Sequence, residues 1–374
     1  MSERGMAEAF PPGEFLRDEL DERGWTQEEF ASIIGRPTAV VNQILSGKRG
    51  ISPETAREIG AALGTSAIFW MNLEAAYRLW RAGPAPTRIN REARIRERFP
   101  VREMLKRGWL RPSESTEVLE SQVAAFFGIK GIDETPKLLH AAKKSGYPQD
   151  ISGAQLAWLF RVRQIATALR VRPYSPRALR ESLPALRSLL ATPAEMARIP
   201  KILSDCGVRF VVVEHVPSSK IDGVCFWLDA STPSPVIGMS LRLDRIDNFW
   251  FVLRHEIEHV LNEDGREEAI VDRDTLVDHP EQGPLEELRA NRAAADFCVP
   301  TGEMADFVSR NRPLFGELRV LNFAQRMGVH PGLIVGQLQR RTGNYKLFRK
   351  HLVSVRSLIT SVAVTDGYGH VVSM

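Results

Sequence analysis

WTQEEFASIIGRPTAVVNQILSGKRG, residues 25–50, splits into two short helices around a tight turn. Thr26 followed three residues later by Glu29 predicts a capping box, since each side chain at that spacing satisfies an exposed backbone amide of the other. The first helix covers Gln27–Ile34 and stops at Gly35. Pro37, with no amide hydrogen to lose, opens a second helix that ends at Leu45. Ser52-Pro53-Glu54 repeats the start signal, and residues 14–82 read throughout as short helices. GPAPT, residues 83–87, is a stiff proline-rich break suited to a domain boundary.

Two such helices about a turn are the layout of a helix-turn-helix, in which the second helix enters the major groove of DNA. Gln27, at the first helix start, is placed to bond a phosphate. Thr38, Ala39, Asn42 and Gln43 are short outward residues that suit base edges or a thymine methyl group. Lys48 and Arg49 would hold phosphates and make affinity fall with salt. A helical bundle that never meets DNA would show the same periodicity. The stretches PGEFLRDELDERGWTQEEFASIIGRP and ILSGKRGISPETAREIGAALGTSAIFWMNLEAAYRLW resemble the HigA-type antitoxin branch of the Xre-family regulators. The resemblance implies sequence-specific binding to operator DNA. A homodimer is expected, because one helix-turn-helix gathers too few contacts and a palindromic site needs a twofold partner.

The whole chain has 374 residues, 43% hydrophobic and 26% charged, which describes two or three ordinary folded domains. No apolar run approaches the ~20 residues that span a bilayer, and MSERGMAEAF lacks a signal-peptide core. Cys206, Cys225 and Cys298 share no motif spacing, so free thiols and the cytoplasm are expected. Net charge is +4 but uneven, with arginine-rich runs at 88–111 and 161–187 and an acidic run at 258–287. Each run alone is equally well a solvated helix face. The acidic one also suits a basic protein partner.

FWFVLRHEIEHVLNEDG, residues 249–265, carries the second chemistry. His255 and His259, four apart on a helix, share one face and can offer two nitrogens to one ion. Glu256 can then serve as general base toward a water acidified by the metal. A catalytic site needs a third protein ligand. The place six residues after the second histidine holds Gly265, so a later carboxylate is required. Glu287 is the candidate, on a helix whose Ala290 and Ala294 permit close packing. Glu286 is the alternative, and as neighbours on a helix point about 100° apart, only one can face the ion. Most of the other nearby acids read as solvated surface.

HEIEH, the later Glu-x-x-Ala-Asn-x-x-Ala with Pro300, and the upstream strands ending in PVIGMSL resemble the ImmA/IrrE family of metallopeptidases. Known members cleave helix-turn-helix repressors. The resemblance implies His255, His259 and Glu287 as metal ligands, Glu256 as base, and zinc as the default ion, with Mn2+ or another divalent ion also accommodated. The family usually has a small residue where Glu258 stands and often one where Arg254 stands. An extra carboxylate there bears on metal preference and water acidity. His215 and His279 are candidates for stabilising the oxyanion.

The expected fold is mainly α with a small β-sheet (α+β). An all-α helix-turn-helix domain spans 10–82 and a helical connecting region 88–200. A zincin-like metallopeptidase domain covers 201–345, and 346–374 forms a tail of unassigned role. Strands are expected at 208–216, 222–228 and 235–241. The expected function is a DNA-binding regulator of antitoxin or repressor type that carries a zinc endopeptidase. The alternative is a regulator whose peptidase-like domain only binds a toxin or a signal.

Overall fold

The computed structural model describes residues 9–83, 86–137, 151–229, 232–264, 266, 270–273 and 284–372. The chain divides into two units, residues 1–90 and 91–374. The architecture is mostly helical with one small mixed sheet.

The first unit is a bundle of α1 (Pro12–Arg23), α2 (Gln27–Ile33), α3 (Thr38–Leu45), α4 (Pro53–Leu63) and α5 (Ala67–Ala82). The capping box at α2 forms in both directions, Thr26 N to Glu29 Oε2 at 2.8 Å and Glu29 N to Thr26 Oγ1 at 3.2 Å. Two boundaries differ from expectation by one residue. Ile34 already turns out of the helix, and Pro37 has an extended ψ of 139°, so α3 begins at Thr38. Leu16, Leu20, Phe30, Val41, Ile44, Ile59 and Trp70 fill the core. Buried Glu74 on α5 accepts the amide of Ile51 at 2.9 Å, which ties the turn after α3 to the last helix.

The second unit starts with helices α6 (Thr87–Arg98, crossing the division), α7 (Val101–Lys106), α8 (Thr116–Phe127), α9 (Gly153–Ala168), α10 (Pro176–Ser188) and α11 (Ile199–Asp205). Strands β1 (Arg209–Val213), β2 (Ile221–Trp227) and β3 (Pro235–Met239) follow, then α12 (Ile246–Leu261) and β4 (Ile270–Arg273). Next come α13 (Leu285–Cys298), α14 (Thr301–Asn311), α15 (Glu317–Met327), α16 (Pro331–Thr342), α17 (Arg356–Thr360) and β5 (Val364–Asp366).

The sheet runs β4-β2-β3-β1-β5, with β1 parallel to β3 and β5, and β2 antiparallel to β3 and β4. Both faces are covered, which explains why the strands read as continuous apolar runs. Phe210, Val212, Cys225, Trp227 and Ile237 join the core shared with α12. Val211, Val213, Val224, Phe226 and Val236 alternate with them and join α9 on the other face. A Cβ at Gly238 would sit 2.7 Å from Val162 Cγ1, so a residue without one lets α9 cross there.

The segment read as an unassigned tail is built into this sheet. β5 pairs with β1 at its edge. Buried Asp366 accepts from Trp109 Nε1 at 2.9 Å and from Arg161. Among the described residues, no helix is long and apolar enough to cross a membrane.

Candidate functional site

Helix α12 is buried on nearly its whole circumference, its apolar stripe Phe249, Trp250, Leu253, Ile257 and Val260 anchoring it in the core. That anchorage fixes the adjoining stripe. His255, His259 and Glu256 are all fully buried. α13 packs alongside, and Glu287 on its first turn meets both histidines. Glu287 Oε2 lies 3.2 Å from His255 Nε2, Glu287 Oε1 lies 3.5 Å from His259 Nε2, and the two Nε2 atoms are 2.9 Å apart. Glu286 is exposed, so of the two adjacent glutamates the structure brings Glu287 to the histidines.

Whether the trio suits a metal can be tested on its own distances. Bonds of about 2.0–2.1 Å at tetrahedral angles require donor atoms roughly 3.3–3.4 Å apart. The three separations bracket that value, and all three donors lie within 4.8 Å of one another. Two imidazoles and one carboxylate are a donor set for zinc and similar divalent ions. The residues fit such an ion.

Two features around the trio escaped the sequence reading. Asp264, one acid among many in its run, places its Oδ2 3.1 Å from His259 Nδ1 and accepts from Arg289 Nη2 at 2.8 Å. With Nδ1–H donating to that carboxylate, His259 turns its Nε2 lone pair toward the trio. The signal available was the spacing, five residues beyond His259, where the chain turns back at the helix end. The second feature is Gly223 on β2. A Cβ there would sit 2.1 Å from Glu256 Oε1 and 2.7 Å from Val252 Cγ1, so the strand gives the glutamate its room.

Glu258 and Arg254, one turn apart on α12, answer each other. Arg254 Nη2 donates to Glu258 Oε2 at 2.7 Å and Asn262 Nδ2 donates to Oε1 at 3.0 Å. Burial pushes the Glu258 carboxyl up, but those two hydrogen bonds and the Arg254 charge outweigh it and hold it below its ordinary value. Both oxygens are thus engaged along α12 itself, away from the role of an extra ligand.

His215 is half-buried, its imidazole kept below the usual value by burial and by nearby Arg107, Arg242 and Arg356. His279 and Gly265 lie outside the described residues, as do residues 267–269 and 274–283 of the acidic run and residues 84–85 of the GPAPT break. Of the acids described in that run, Glu258, Asp264 and Glu287 turn inward to partners rather than forming a plain acidic surface.

In the first unit, Gln27 is the first residue of α2 and is exposed. On α3, Val41, Ile44 and Leu45 face the core, which leaves Ala39, Asn42 and Gln43 exposed and Thr38 half-exposed on the opposite side. Lys48 and Arg49 are exposed in the turn beyond α3 and make no ion pair among the described residues. A bidentate pair of Arg36 with Glu58, at 2.8 and 2.9 Å, ties the α2–α3 turn to α4 and raises the guanidinium pKa. This fixes how α3 is presented.

A helix-turn-helix family model matches residues 16–70. The HTH-type transcriptional regulator YddM of Escherichia coli K12 is 31% identical over 77 residues, 21% of this chain and 82% of that protein. Among solved structures, the antitoxin HigA of Pseudomonas aeruginosa, determined with the higBA promoter, is 39% identical. That match covers 20% of this chain and 83% of that one, with a TM-score of 0.20. An addiction module antidote protein of the HigA family from Coxiella burnetii is 34% identical, covering 19% and 79%, with a TM-score of 0.19.

Proposed function

The chain belongs to the helix-turn-helix family through its N-terminal unit, and from that premise we propose a DNA-binding transcriptional regulator of antitoxin or repressor type that also carries a zinc-dependent endopeptidase. Binding to DNA rests on the exposed strip of α3 and on the similarity to regulators of that family, one of them an antitoxin determined with its promoter. Two copies on a palindromic operator would supply the contacts that one short recognition helix lacks.

The peptidase reading rests on one observation, the convergence of His255, His259 and Glu287 at metal-ligand spacing with Glu256 buried beside them. A divalent ion held by that trio would polarise a peptide carbonyl and acidify a water. Glu256 takes the proton from the attacking water and passes it to the departing amine, as a general base and then a general acid. Asp264 keeps His259 in the tautomer whose Nε2 faces the trio. The substrate is a protein, with a cognate toxin or a helix-turn-helix repressor as the candidates.

The deciding measurement is metal content of the purified chain beside His255→Ala and Glu287→Ala variants. About one ion per chain, lost in both variants, is expected. A wild-type protein that holds none after zinc is supplied would overturn the peptidase reading and leave the regulator reading standing.

A further inference from the structure

The arginine-rich run at 88–111 is mostly consumed within the second unit. Arg91 pairs with Glu117 and Glu120, and Arg94 with Asp133. Arg98 donates to the carbonyls of Ile132 and Glu134, and Arg107 to those of Glu214 and His215. Arg102 and Lys106 stand apart from this pattern. Both are exposed, they lie four residues apart on α7, and neither makes an ion pair among the described residues.

These two cations line a cavity of about 480 Å3 between the end of α6, α7 and the turn after β1. Arg96 also lines it, its guanidinium held by Glu92 at 2.9 Å. Half-exposed Pro100 and exposed Pro217 supply the apolar surface, over the buried Phe99, Val101 and Val216. The one carboxylate in the lining, Glu103, is held by Arg107 at 2.8 Å and so does little to offset the cations. Ligand sites of this size combine apolar walls with a few placed polar groups.

We propose that this cavity binds a small organic anion, with a phosphate or carboxylate head on Arg102 and Lys106. Its apolar or aromatic body lies against Pro100 and Pro217. Arginine matches the oxygen geometry of such heads, and lysine adds a mobile point charge. Nucleic-acid phosphates would meet the same cations but leave the apolar wall unused, so the small ligand accounts for more of the site. This site is separate from the metal trio and does not depend on it.

The test uses the full chain and 1-naphthyl phosphate, followed by its fluorescence, beside an Arg102→Gln/Lys106→Gln double variant. Saturable binding is expected, weakened at least tenfold in the double variant and by added salt. Inorganic phosphate and 1-naphthol alone should each bind more weakly than the ester. An unchanged unfolding midpoint would show that these exposed substitutions leave the fold intact. The proposal is overturned if no saturable binding occurs at millimolar ester, if the double variant binds equally, or if inorganic phosphate binds as tightly as the ester. Loss of operator affinity in the double variant, without ester binding by the wild type, would reassign the cations to the DNA backbone.

Discussion

Asp264 and His259 are joined across the end of α12, carboxylate Oδ2 to imidazole Nδ1 at 3.1 Å, with Arg289 holding the same oxygen from α13 at 2.8 Å. The carboxylate accepts at Nδ1 and so directs Nε2 to the other two donors. Asp264→Ala should therefore keep the fold and lower metal affinity by about 10–100-fold. Competition against a chelator of known affinity measures this. An unchanged affinity would mean that the walls around His259 orient it unaided.

Gly223 and Glu256 lie too close for any side chain at 223. Gly223→Ala should displace the glutamate and cost about 1–3 kcal/mol in stability, the usual range for overpacking. Its catalytic defect should match that of Glu256→Gln, a loss of ~10²–10⁴ in hydrolysis with metal content kept. Cleavage rate and metal per chain, assayed together in both variants, check the pair. Metal loss in either one would show that Glu256 instead supports the ligand cage.

Along α3, base-reading and phosphate-holding residues should separate cleanly in binding assays. Asn42→Ala or Gln43→Ala should each remove about 1–3 kcal/mol of discrimination between operator and scrambled DNA. Lys48→Ala or Arg49→Ala should weaken both alike and lower the salt slope by about one each. Anisotropy titrations on the two DNAs at several salt concentrations give both quantities. Loss of discrimination confined to Lys48→Ala would contradict the placement of α3 in the groove.

Asp244 fastens the segment that leads to α17. It accepts from the amides of Val355 and Arg356 at 2.8 and 2.7 Å and from the Ser354 hydroxyl. Burial pushes its carboxyl up, but those donors and the Arg356 charge outweigh it, so the net shift is downward. A depressed folded value adds stability above the unfolded pKa of about 3.9, and that stability is lost as pH falls through the folded value. The stability gap between the wild type and Asp244→Ala should therefore be widest near neutrality and shrink below about pH 4. Urea unfolding across that range reads it, and a pH-independent gap would deny the carboxylate this role.

Much of the fold was legible where the cause is local. The capping box at Thr26, the stop at Gly35 and the apolar runs of β1 to β3 are all written in a few consecutive residues. The shared face of His255 and His259 follows from helix geometry alone. What stayed hidden depends on partners distant in sequence. Arg91 gives no sign of meeting Glu120, nor Arg161 of meeting Asp366, until the helices are packed. β5 has three residues and draws its pairing from β1, so no periodicity could announce it. Asp264 reads as one more member of an acidic run, because charge counting does not reveal which way a carboxylate turns, and Glu258 reads as an extra carboxylate at the site until Arg254 is seen to hold it.

The pairing of residues 364–366 with β1 also sets an order in time. The first unit has its whole core in hand once α5 has been made. The second does not, because β1 keeps an open edge and Arg161 lacks the carboxylate it is buried with until Asp366 arrives. A buried cation lacking its partner costs about 3–5 kcal/mol, enough to hold that unit short of its final packing. Synthesis from the N-terminus therefore passes through an interval in which the helix-turn-helix bundle is complete and the histidine-bearing unit still awaits its last strand.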